Sequence, residues 1–351
     1  MPDQTPGGRP YGGCPADARP AVLRTSGTRT SGTRGPDVRG PGVRPPARVP
    51  AARASAPPES IPVAPAPWSR LSEVRTALPH PARMYDHYLN GKNNFAIDRG
   101  AAADVLALAP EVRGMAFANR AFLRRAVSFA AGCGIRQFLD IGVGLPAAGD
   151  TYECAVLATE EARAVYVDND PLVLAHARAL SARPGRVHVV EADLRDPGAL
   201  LERAAARSGL DFRRPVAVVL TAVLHYLSDA DDPRSLVDEL MAATVPGSAL
   251  VLSHVAADLR PEAARATAET YRHSAAPLFP RDLRDVREFF TGLTLVDPGV
   301  VPISSWRADR LPRPHADRQW MYAGVGRKST SNRPTGREAR PARRPILSSV
   351  P

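Results

Sequence analysis

Residues 137–146, which read Gln-Phe-Leu-Asp-Ile-Gly-Val-Gly-Leu-Pro, decide the fold of this chain. A short apolar run is followed by two glycines one residue apart and by Pro146, which suits the first turn of a helix. The stretch therefore predicts a strand, a tight turn and a helix that begins near Pro146. Gly142 and Gly144 leave the turn without side chains, so a ligand could approach the backbone. Asp140 adds a hydrogen-bond acceptor that would repel a phosphate group.

From residue 135 onward the chain alternates between apolar runs and segments that can form helices. The apolar runs are Phe138–Ile141, Ala164–Val167, Val187–Val190, Val216–Leu220 and Ala249–Leu252, and the helical segments begin near Pro146, Pro171, Asp196, Asp231 and Pro261. Because the runs are apolar on both faces, we expect a mostly parallel sheet covered by helices on both sides. Residues 293–301 and 320–326 predict two further strands with no helix between them, an antiparallel pair at one edge. The expected fold class is α/β and Rossmann-like.

Composition divides the 351 residues into a folded middle and two basic ends. Residues 1–78 and 327–351 each carry a net charge of +6, which leaves −2 for residues 79–326 although the whole chain carries +10. Both ends are rich in Arg and Pro and poor in large apolar residues, so we expect them to be disordered. The middle is expected to form one domain, with a helical cap over 79–131 and an α/β core over 135–326.

The charge and hydropathy of the middle segment argue against several classes of protein. A slightly acidic core without a basic, aromatic-lined groove does not predict a nucleic-acid partner. The longest largely apolar run, Val216 to Leu224, is far shorter than the roughly 18–20 residues of a membrane span. Three cysteines without a C-x-x-C pair do not indicate a zinc site. The default expectation is a cytoplasmic protein with a small-molecule partner and no metal, whose oligomeric state is left open.

Residues 81–99 of the cap are unusually rich in aromatic and amide side chains, and two interpretations of this segment stay open. In the first, the segment is a short helix, an Asn-Gly turn and the N-cap of a second helix, supplied by Asn94 or Asp98. In the second, Tyr85, Tyr88 and Asn90 form a substrate wall or lid over the glycine turn.

Acidic side chains follow three successive strands at the points where those strands end. In an open α/β sheet the ligand binds beyond the carboxyl ends of the strands. There Asp168 could accept hydrogen bonds from both hydroxyls of a ribose, and Asp193 from an adenine amino group, with Leu194 or Ala192 against the ring. The alternative for each acid is a helix N-cap. Together with Asp140, three acids at successive strand ends favour a ligand that contains a nucleoside.

Two cofactors fit the glycine turn. Gly142-x-Gly144-x-x-Ala147 satisfies the dinucleotide-binding pattern, and Asp168 follows at the expected spacing of about 20 residues. Asp140, however, would repel a pyrophosphate, whereas S-adenosylmethionine carries an ammonium and a sulfonium that gain from nearby carboxylates. This D-x-G-x-G form resembles the first motif of class I methyltransferases. An NAD-type oxidoreductase stays open as the alternative.

Seven motifs, in order along the chain, resemble an actinobacterial S-adenosylmethionine-dependent methyltransferase family that was once described as a domain of unknown function. They are Met84–Phe95, Ala118–Arg125, Gln137–Pro146, Val165–Pro171, Ala192–Pro197, Ala222–Tyr226 and Pro246–His254. The resemblance covers residues 79–327 and implies a seven-stranded class I methyltransferase core with an antiparallel edge strand, preceded by helices. It also implies cofactor contacts at Asp140, Gly142, Gly144, Asp168, Asn169 and Asp193.

Three positions near the glycine turn depart from the pattern of that family. Val143 stands where Thr is usual, and Asp150 and Tyr152 stand where Asn and His are usual. These departures motivate a second alternative, a non-catalytic regulatory protein that keeps the cofactor fold.

The catalytic residues follow less directly from the sequence. Methyl transfer from a sulfonium is an in-line displacement that needs orientation more than acid–base help. His225, just after the fourth apolar run, is the best candidate for a base, with Tyr226 beside it and His254 after the fifth run. The predicted function is an S-adenosylmethionine-dependent methyltransferase that acts on an unidentified small-molecule acceptor.

Overall fold

The computed structural model describes residues 77–308 and 318–329, and its elements follow the predicted alternation. The strands are β1 (Gln137–Ile141), β2 (Arg163–Asp168), β3 (Val187–Glu191), β4 (Val216–Thr221), β5 (Ala249–Val255), β6 (Thr294–Leu295), β7 (Val301–Pro302) and β8 (Met321–Arg327). The helices are α1 (Pro81–Tyr88), α2 (Ala96–Leu108), α3 (Glu111–Gly132), α4 (Thr151–Val156), α5 (Pro171–Leu180), α6 (Pro197–Ser208), α7 (Pro233–Ala242), α8 (Pro261–Tyr271) and α9 (Leu283–Glu288). The predictions for residues 1–76 and 330–351 fall outside the described residues.

The strands form one mixed sheet in the order β3-β2-β1-β4-β5-β8-β6, and β7 also pairs with β8. Strands β1 to β5 pair in parallel, and β8 runs antiparallel to β5. The expected Rossmann-like, mostly parallel sheet with an antiparallel strand near one edge is therefore confirmed. The described residues contain eight strands rather than seven, because two short segments, β6 and β7, share the outer side of β8.

The helical cap is attached to the sheet mainly through α3. Phe122 and Phe129 lie on the same face of this helix, about two turns apart, and both meet the ring of the buried Trp306 edge-on, with centroid separations of 5.3 and 6.1 Å. Arg125 donates from Nε to the Trp306 carbonyl at 2.8 Å. Because α3 also contacts β4, β5 and β8, the cap and the sheet share one apolar core.

A buried carboxylate, Asp98, holds the first two cap helices together. It accepts hydrogen bonds from the His80 amide at 2.9 Å, from Arg83 Nε at 2.8 Å and from the Phe95 amide at 2.8 Å. Asp98 and Arg83 are almost fully buried, so their charges compensate each other away from water. The prediction that Asn94 or Asp98 is the N-cap of α2 is wrong, because Phe95 occupies the cap position and Asp98 lies three residues inside the helix.

The amides between α1 and α2 build a turn around Asp86. Its carboxylate accepts from the Asn93 amide at 2.9 Å and from Asn94 Nδ2 at 2.7 Å. A Cβ at Gly91 would lie only 2.0 Å from Asp86 Oδ1, so this position requires glycine while the carboxylate stays there. The short helix and the Asn-Gly turn of the first interpretation are therefore present, whereas its N-cap residue is not the one predicted.

The ordered fold extends beyond the predicted boundary at residue 326. Arg327 ends β8, and the Lys328 amide donates to the Ser248 carbonyl at 2.8 Å. Lys328 Nζ donates to the carbonyls of Met241 at 2.8 Å and Thr244 at 2.6 Å. Within residues 77–308 and 318–329, no helix has the length and apolar character needed to cross a membrane, and no cluster of side chains could hold a metal ion.

Candidate functional site

The carboxyl ends of β1 to β4 open into a cleft where the strand order reverses, between β1 and β4. All seven residues predicted to contact a cofactor line this cleft, namely Asp140, Gly142, Gly144, Asp168, Asn169, Asp193 and Leu194. The cap supplies the opposite wall with Tyr85, Asn119 and Arg120. The topology thus brings together side chains that lie more than 100 residues apart in the sequence.

The two glycines of the turn have different structural roles. Both have left-handed backbones, with φ of +70° at Gly142 and +66° at Gly144. A Cβ at Gly142 would lie 2.6 Å from Val223 Cγ2, whereas a Cβ at Gly144 would meet no atom within 4 Å. Gly142 therefore makes room for the loop after β4, and Gly144 leaves open space in the cleft.

Asp140 lies near the end of β1 and is buried. Thr151 Oγ1 donates to its Oδ2 at 2.6 Å. Burial raises the pKa of this carboxyl to about 7, opposed by the Thr151 hydrogen bond and by the positive charge of Arg120. A cationic ligand beside Asp140 would favour its ionised form.

Asp168 ends β2 and accepts three backbone hydrogen bonds. The Gly144 amide donates to Oδ2 at 3.1 Å, and the amides of Asn169 and Asp170 donate to Oδ1 at 2.9 and 3.0 Å. Burial raises its pKa to about 6, although these hydrogen bonds favour the carboxylate. The N-cap of α5 is Asp170, which accepts from the Val173 amide at 2.9 Å, so capping does not explain Asp168.

Asp193 follows β3 and is linked to the end of β2. Its Oδ2 accepts from Asn169 Nδ2 at 2.9 Å, and its Oδ1 accepts from the Arg195 amide at 2.9 Å. The N-cap of α6 is Asp196, three residues later, so capping does not explain Asp193 either. Leu194 is buried and gives this part of the cleft an apolar surface.

The helix after the glycine turn begins later than predicted. Helix α4 starts at Thr151 with Asp150 as its N-cap, so the predicted start near Pro146 is wrong. Ala147, the third position of the dinucleotide pattern, lies in a loop. A dinucleotide pyrophosphate is held at a helix N-terminus directly after the glycines. The late start of α4 therefore does not favour the NAD alternative.

Arg120 on α3 explains why residues 147–149 form a loop. Its Nη2 donates to the carbonyls of Ala147 at 3.1 Å, Ala148 at 3.3 Å and Gly149 at 2.8 Å. Its Nε is buried and has no hydrogen-bond partner. Arg120 also lines the cleft, although it was not among the predicted site residues. The available signal was its place in the family-like motif Ala118–Arg125.

A directed chain of hydrogen bonds connects the sheet to the cap beside the cleft. The Ala222 amide donates to Ser253 Oγ at 3.0 Å, and Ser253 Oγ donates to Asn119 Oδ1 at 2.6 Å. Asn119 Nδ2 then donates to Tyr85 Oη at 3.0 Å, which donates to the Ala116 carbonyl at 3.1 Å. Ala222 is a non-glycine residue with a φ of +59°, so this network holds a strained turn next to the site.

A smaller cavity of about 50 Å³ lies next to the cleft, and both share Tyr85, Ala222 and Tyr226 as wall residues. We call it the aromatic cavity. Its lining residues are Tyr85, Tyr88, Val112, Met115, Ala116, Ala222, His225, Tyr226, Val255, Thr267, Tyr271, Leu278, Trp320 and Met321. Tyr85 and Tyr88, two of the three residues predicted to bind the substrate, therefore line the same cavity. Asn90 lines neither space: it occupies a left-handed turn and accepts a hydrogen bond from Arg113.

His225 lines the aromatic cavity rather than the cleft. Burial and the nearby His254 and Arg281 keep its pKa well below the usual range, so the ring is neutral. Its Nδ1 is 3.4 Å from the Val255 amide, which can only donate, so this nitrogen is the acceptor and Nε2 carries the proton.

His254 is held by the surrounding protein. Its Nε2 lies 3.2 Å from Arg281 Nη1, which can only donate, and its Nδ1 lies 2.8 Å from the Val255 carbonyl, which can only accept. Burial lowers its pKa to about 3. Both ring nitrogens are engaged, which favours a structural role.

The three departures from the family pattern have local structural roles. Asp150 caps α4 by accepting from the Glu153 amide at 2.8 Å, a task that Asn performs equally well. Tyr152 packs against the core, and its amide donates to Tyr166 Oη at 2.9 Å. Val143 also contacts the core and lines the cleft, where it replaces a hydroxyl with a methyl group.

Comparison with known proteins places this architecture in a family. A sequence model of the S-adenosyl methyltransferase family matches residues 68–329. A Thermobifida fusca protein of known crystal structure is 37% identical, with a TM-score of 0.69 over 73% of this chain and 97% of its own. A DUF574 family protein from Streptomyces avermitilis is 35% identical, with a TM-score of 0.68 over 73% of this chain and 99% of its own. No curated protein matches the chain. The chain therefore belongs to the S-adenosyl methyltransferase family, whose cofactor is S-adenosylmethionine.

Proposed function

We propose that this methyltransferase binds S-adenosylmethionine in the cleft between β1 and β4 and methylates a small-molecule acceptor that enters from the cap side. The observation that carries the proposal is the convergence of Asp140, Asp168 and Asp193 on one cleft, with the helix caps supplied by other acids. Bound S-adenosylmethionine supplies a methyl group activated by a sulfonium. An acceptor nucleophile would form a bond to this methyl carbon while the carbon–sulfur bond breaks. The electron pair of that bond would stay on sulfur as a neutral thioether, and the proton of the acceptor would pass to solvent.

Two features of the cleft fit this cofactor. The space over Gly144 is open, so a ligand could lie against the backbone there. Arg120 Nε is buried without a partner and lines the same cleft. An unpaired buried donor is costly, and the carboxylate of the cofactor's amino-acid part would satisfy it. We therefore add Arg120 to the proposed cofactor residues.

The three carboxylates take different proposed roles. Asp168 is fixed by three backbone amides, and a carboxylate has about four acceptor positions, so about one position remains for a ribose hydroxyl. Asp140, which is buried, would attract the ammonium and sulfonium groups of the cofactor. Asp193, with Asn169 and Leu194, would contact the adenine.

The acceptor side of the site is formed by the cap. Tyr85 borders both the cleft and the aromatic cavity, and its hydroxyl already donates to Ala116. His225 is neutral and carries its proton on Nε2, so it suits hydrogen-bond donation to the acceptor better than removal of a proton. We propose that these residues orient the acceptor and that no protein base is required.

A small molecule is the acceptor class that the site supports. The aromatic cavity has no charged residue in its wall, and the predicted domain is slightly acidic, so neither suits a nucleic acid. A cytoplasmic location remains a prediction from the sequence.

The test is calorimetric titration of S-adenosylmethionine into wild type, Asp168→Ala and Asp170→Ala. The loss of charge-assisted hydrogen bonds to ribose should weaken binding by roughly 10- to 100-fold in Asp168→Ala. Asp170→Ala removes a neighbouring carboxylate that caps α5, so it should lower stability while leaving affinity nearly unchanged. Equal affinity of wild type and Asp168→Ala for S-adenosylmethionine would exclude the proposed contact between Asp168 and the ribose. Stronger binding of NAD than of S-adenosylmethionine by wild type would sink the proposed cofactor site.

A further inference from the structure

We propose that the aromatic cavity is the far end of the acceptor site and selects an uncharged acceptor with a small hydroxyl-bearing group. The proposal rests on the proposed function, because it places the reacting end of the acceptor at the wall shared with the cofactor cleft. That wall is formed by Tyr85, Ala222 and Tyr226.

The first observation is an unpaired hydroxyl in the cavity wall. Thr267 is 2% exposed, and its Oγ1 has no hydrogen-bond partner. Threonine in a helix commonly satisfies its hydroxyl by donating to the carbonyl four residues earlier. Thr270 in the same helix does so, to the Ala266 carbonyl at 3.3 Å. A buried hydroxyl without a partner costs free energy, so Thr267 indicates a missing polar ligand.

The second observation is the chemical uniformity of the rest of the wall. Tyr88 Oη and Tyr271 Oη lie 3.3 Å apart, and the ring centroids of Tyr226 and Tyr271 lie 6.1 Å apart. The hydroxyls of Tyr88 and Tyr271 therefore pair with each other, and none of the fourteen lining residues carries a formal charge when His225 is neutral. An ionised ligand group would lose its hydration without gaining a counter-charge, so the cavity favours uncharged groups.

The third observation is the size of the cavity. A cavity of about 150 Å³ holds benzene, so 50 Å³ accommodates only a group of about two non-hydrogen atoms. The remainder of an acceptor must therefore lie outside it, against the rings of Tyr85 and Tyr226 at the shared wall. A phenol with a hydroxymethyl group opposite its hydroxyl has the required form: a flat ring, a nucleophile at one end and an uncharged polar group at the other.

The experiment compares three compounds that differ only at this far group. These are 4-hydroxybenzyl alcohol, 4-ethylphenol and 4-hydroxybenzoate, each titrated calorimetrically into protein saturated with S-adenosylhomocysteine, which cannot donate a methyl group. The alcohol should bind roughly five- to tenfold more tightly than the ethyl compound, because it satisfies Thr267 Oγ1. The charged benzoate should bind weakest.

Variants at two threonines of α8 locate the effect. Thr267→Val keeps the shape and removes the hydroxyl, so it should abolish the preference for the alcohol and raise the melting temperature of the empty protein. Thr267→Leu fills the cavity and should weaken all three compounds. Thr270→Val removes a paired hydroxyl outside the cavity and should leave the preference intact.

The outcomes separate this proposal from the proposed function. Equal binding of alcohol and ethyl compounds by wild type, as for a cavity that holds only water, would overturn it. So would tighter binding of the benzoate, or a preference that survives in Thr267→Val. If S-adenosylhomocysteine itself does not bind, the proposed cofactor site fails instead.

Discussion

Replacing each glycine of the turn by alanine should separate a packing role from a binding role. Gly142 and Gly144 have nearly the same left-handed backbone, so alanine at either costs about 1–2 kcal/mol in backbone strain. Only at Gly142 does the new methyl group also meet Val223, at 2.6 Å from Cγ2. Overpacking of this kind adds about 1–3 kcal/mol.

The free energy of unfolding should therefore fall by roughly 2–5 kcal/mol in Gly142→Ala and by about 1–2 kcal/mol in Gly144→Ala. Urea unfolding followed by circular dichroism measures both values. Cofactor affinity should show the opposite order, because the methyl group at Gly144 projects into open cleft space. Calorimetry with S-adenosylmethionine measures this second quantity.

A double-mutant cycle with Val223→Ala tests the packing part of this reasoning. Val223→Ala removes the two methyl groups nearest to Gly142, so the loss in the double variant should be smaller than the sum of the single losses by roughly 1–3 kcal/mol. The same cycle with Gly144→Ala should be additive. Equal destabilisation by the two glycine variants, together with additivity at Gly142, would refute the assigned contact.

Two further predictions concern buried charges. Burial raises the pKa values of Asp140 and Asp168 to about 7 and about 6, so the folded protein without cofactor favours the protonated carboxyls. Their contribution to the free energy of unfolding is therefore complete below pH 4 and is lost as pH rises through 6–7. Cofactor affinity should rise over the same interval, with proton release in calorimetry at pH 6.5; a pH-independent affinity, or no difference from Asp140→Asn, would contradict this. Separately, Asp98→Asn should lower the free energy of unfolding by about 3–5 kcal/mol, because it removes the charge of one partner in a buried ion pair. The exposed Asp104→Asn on the same helix is the control, and similar urea midpoints for the two variants would exclude a compensating role for Asp98.

The sequence placed the acidic residues of the candidate site at strand ends, and the structure brings them to one cleft, while their binding roles stay predictions. Asp140 lies near the end of the first apolar run, Asp168 and Asp193 come after the second and third, and parallel strands place such positions on one edge of the sheet. The pattern did not distinguish ligand-binding acids from helix caps. That distinction depends on Asp170 and Asp196 capping the helices instead.

The failures of prediction have a common physical origin in contacts between distant segments. Pro146 has the local properties of a helix start, but Arg120 binds the carbonyls of residues 147–149 and holds them in a loop. Thr267 likewise has an ordinary helical sequence context. Its unpaired hydroxyl depends on the packing of α8 against the cap, which no local pattern contains.

The series of hydrogen bonds from the Ala222 amide to the Ala116 carbonyl limits how such a protein can change its preference for a methyl acceptor. Replacing the cap by that of a relative would succeed only if the new helix brought an amide oxygen to the position of Asn119. Ser253 is fully buried, and its hydroxyl would otherwise lose its hydrogen-bond acceptor. Tyr88 is a cap residue that lines the aromatic cavity but is not part of this series of hydrogen bonds, so its substitution carries no such requirement. New acceptor preferences should therefore arise by point changes within an inherited cap more readily than by replacement of the cap.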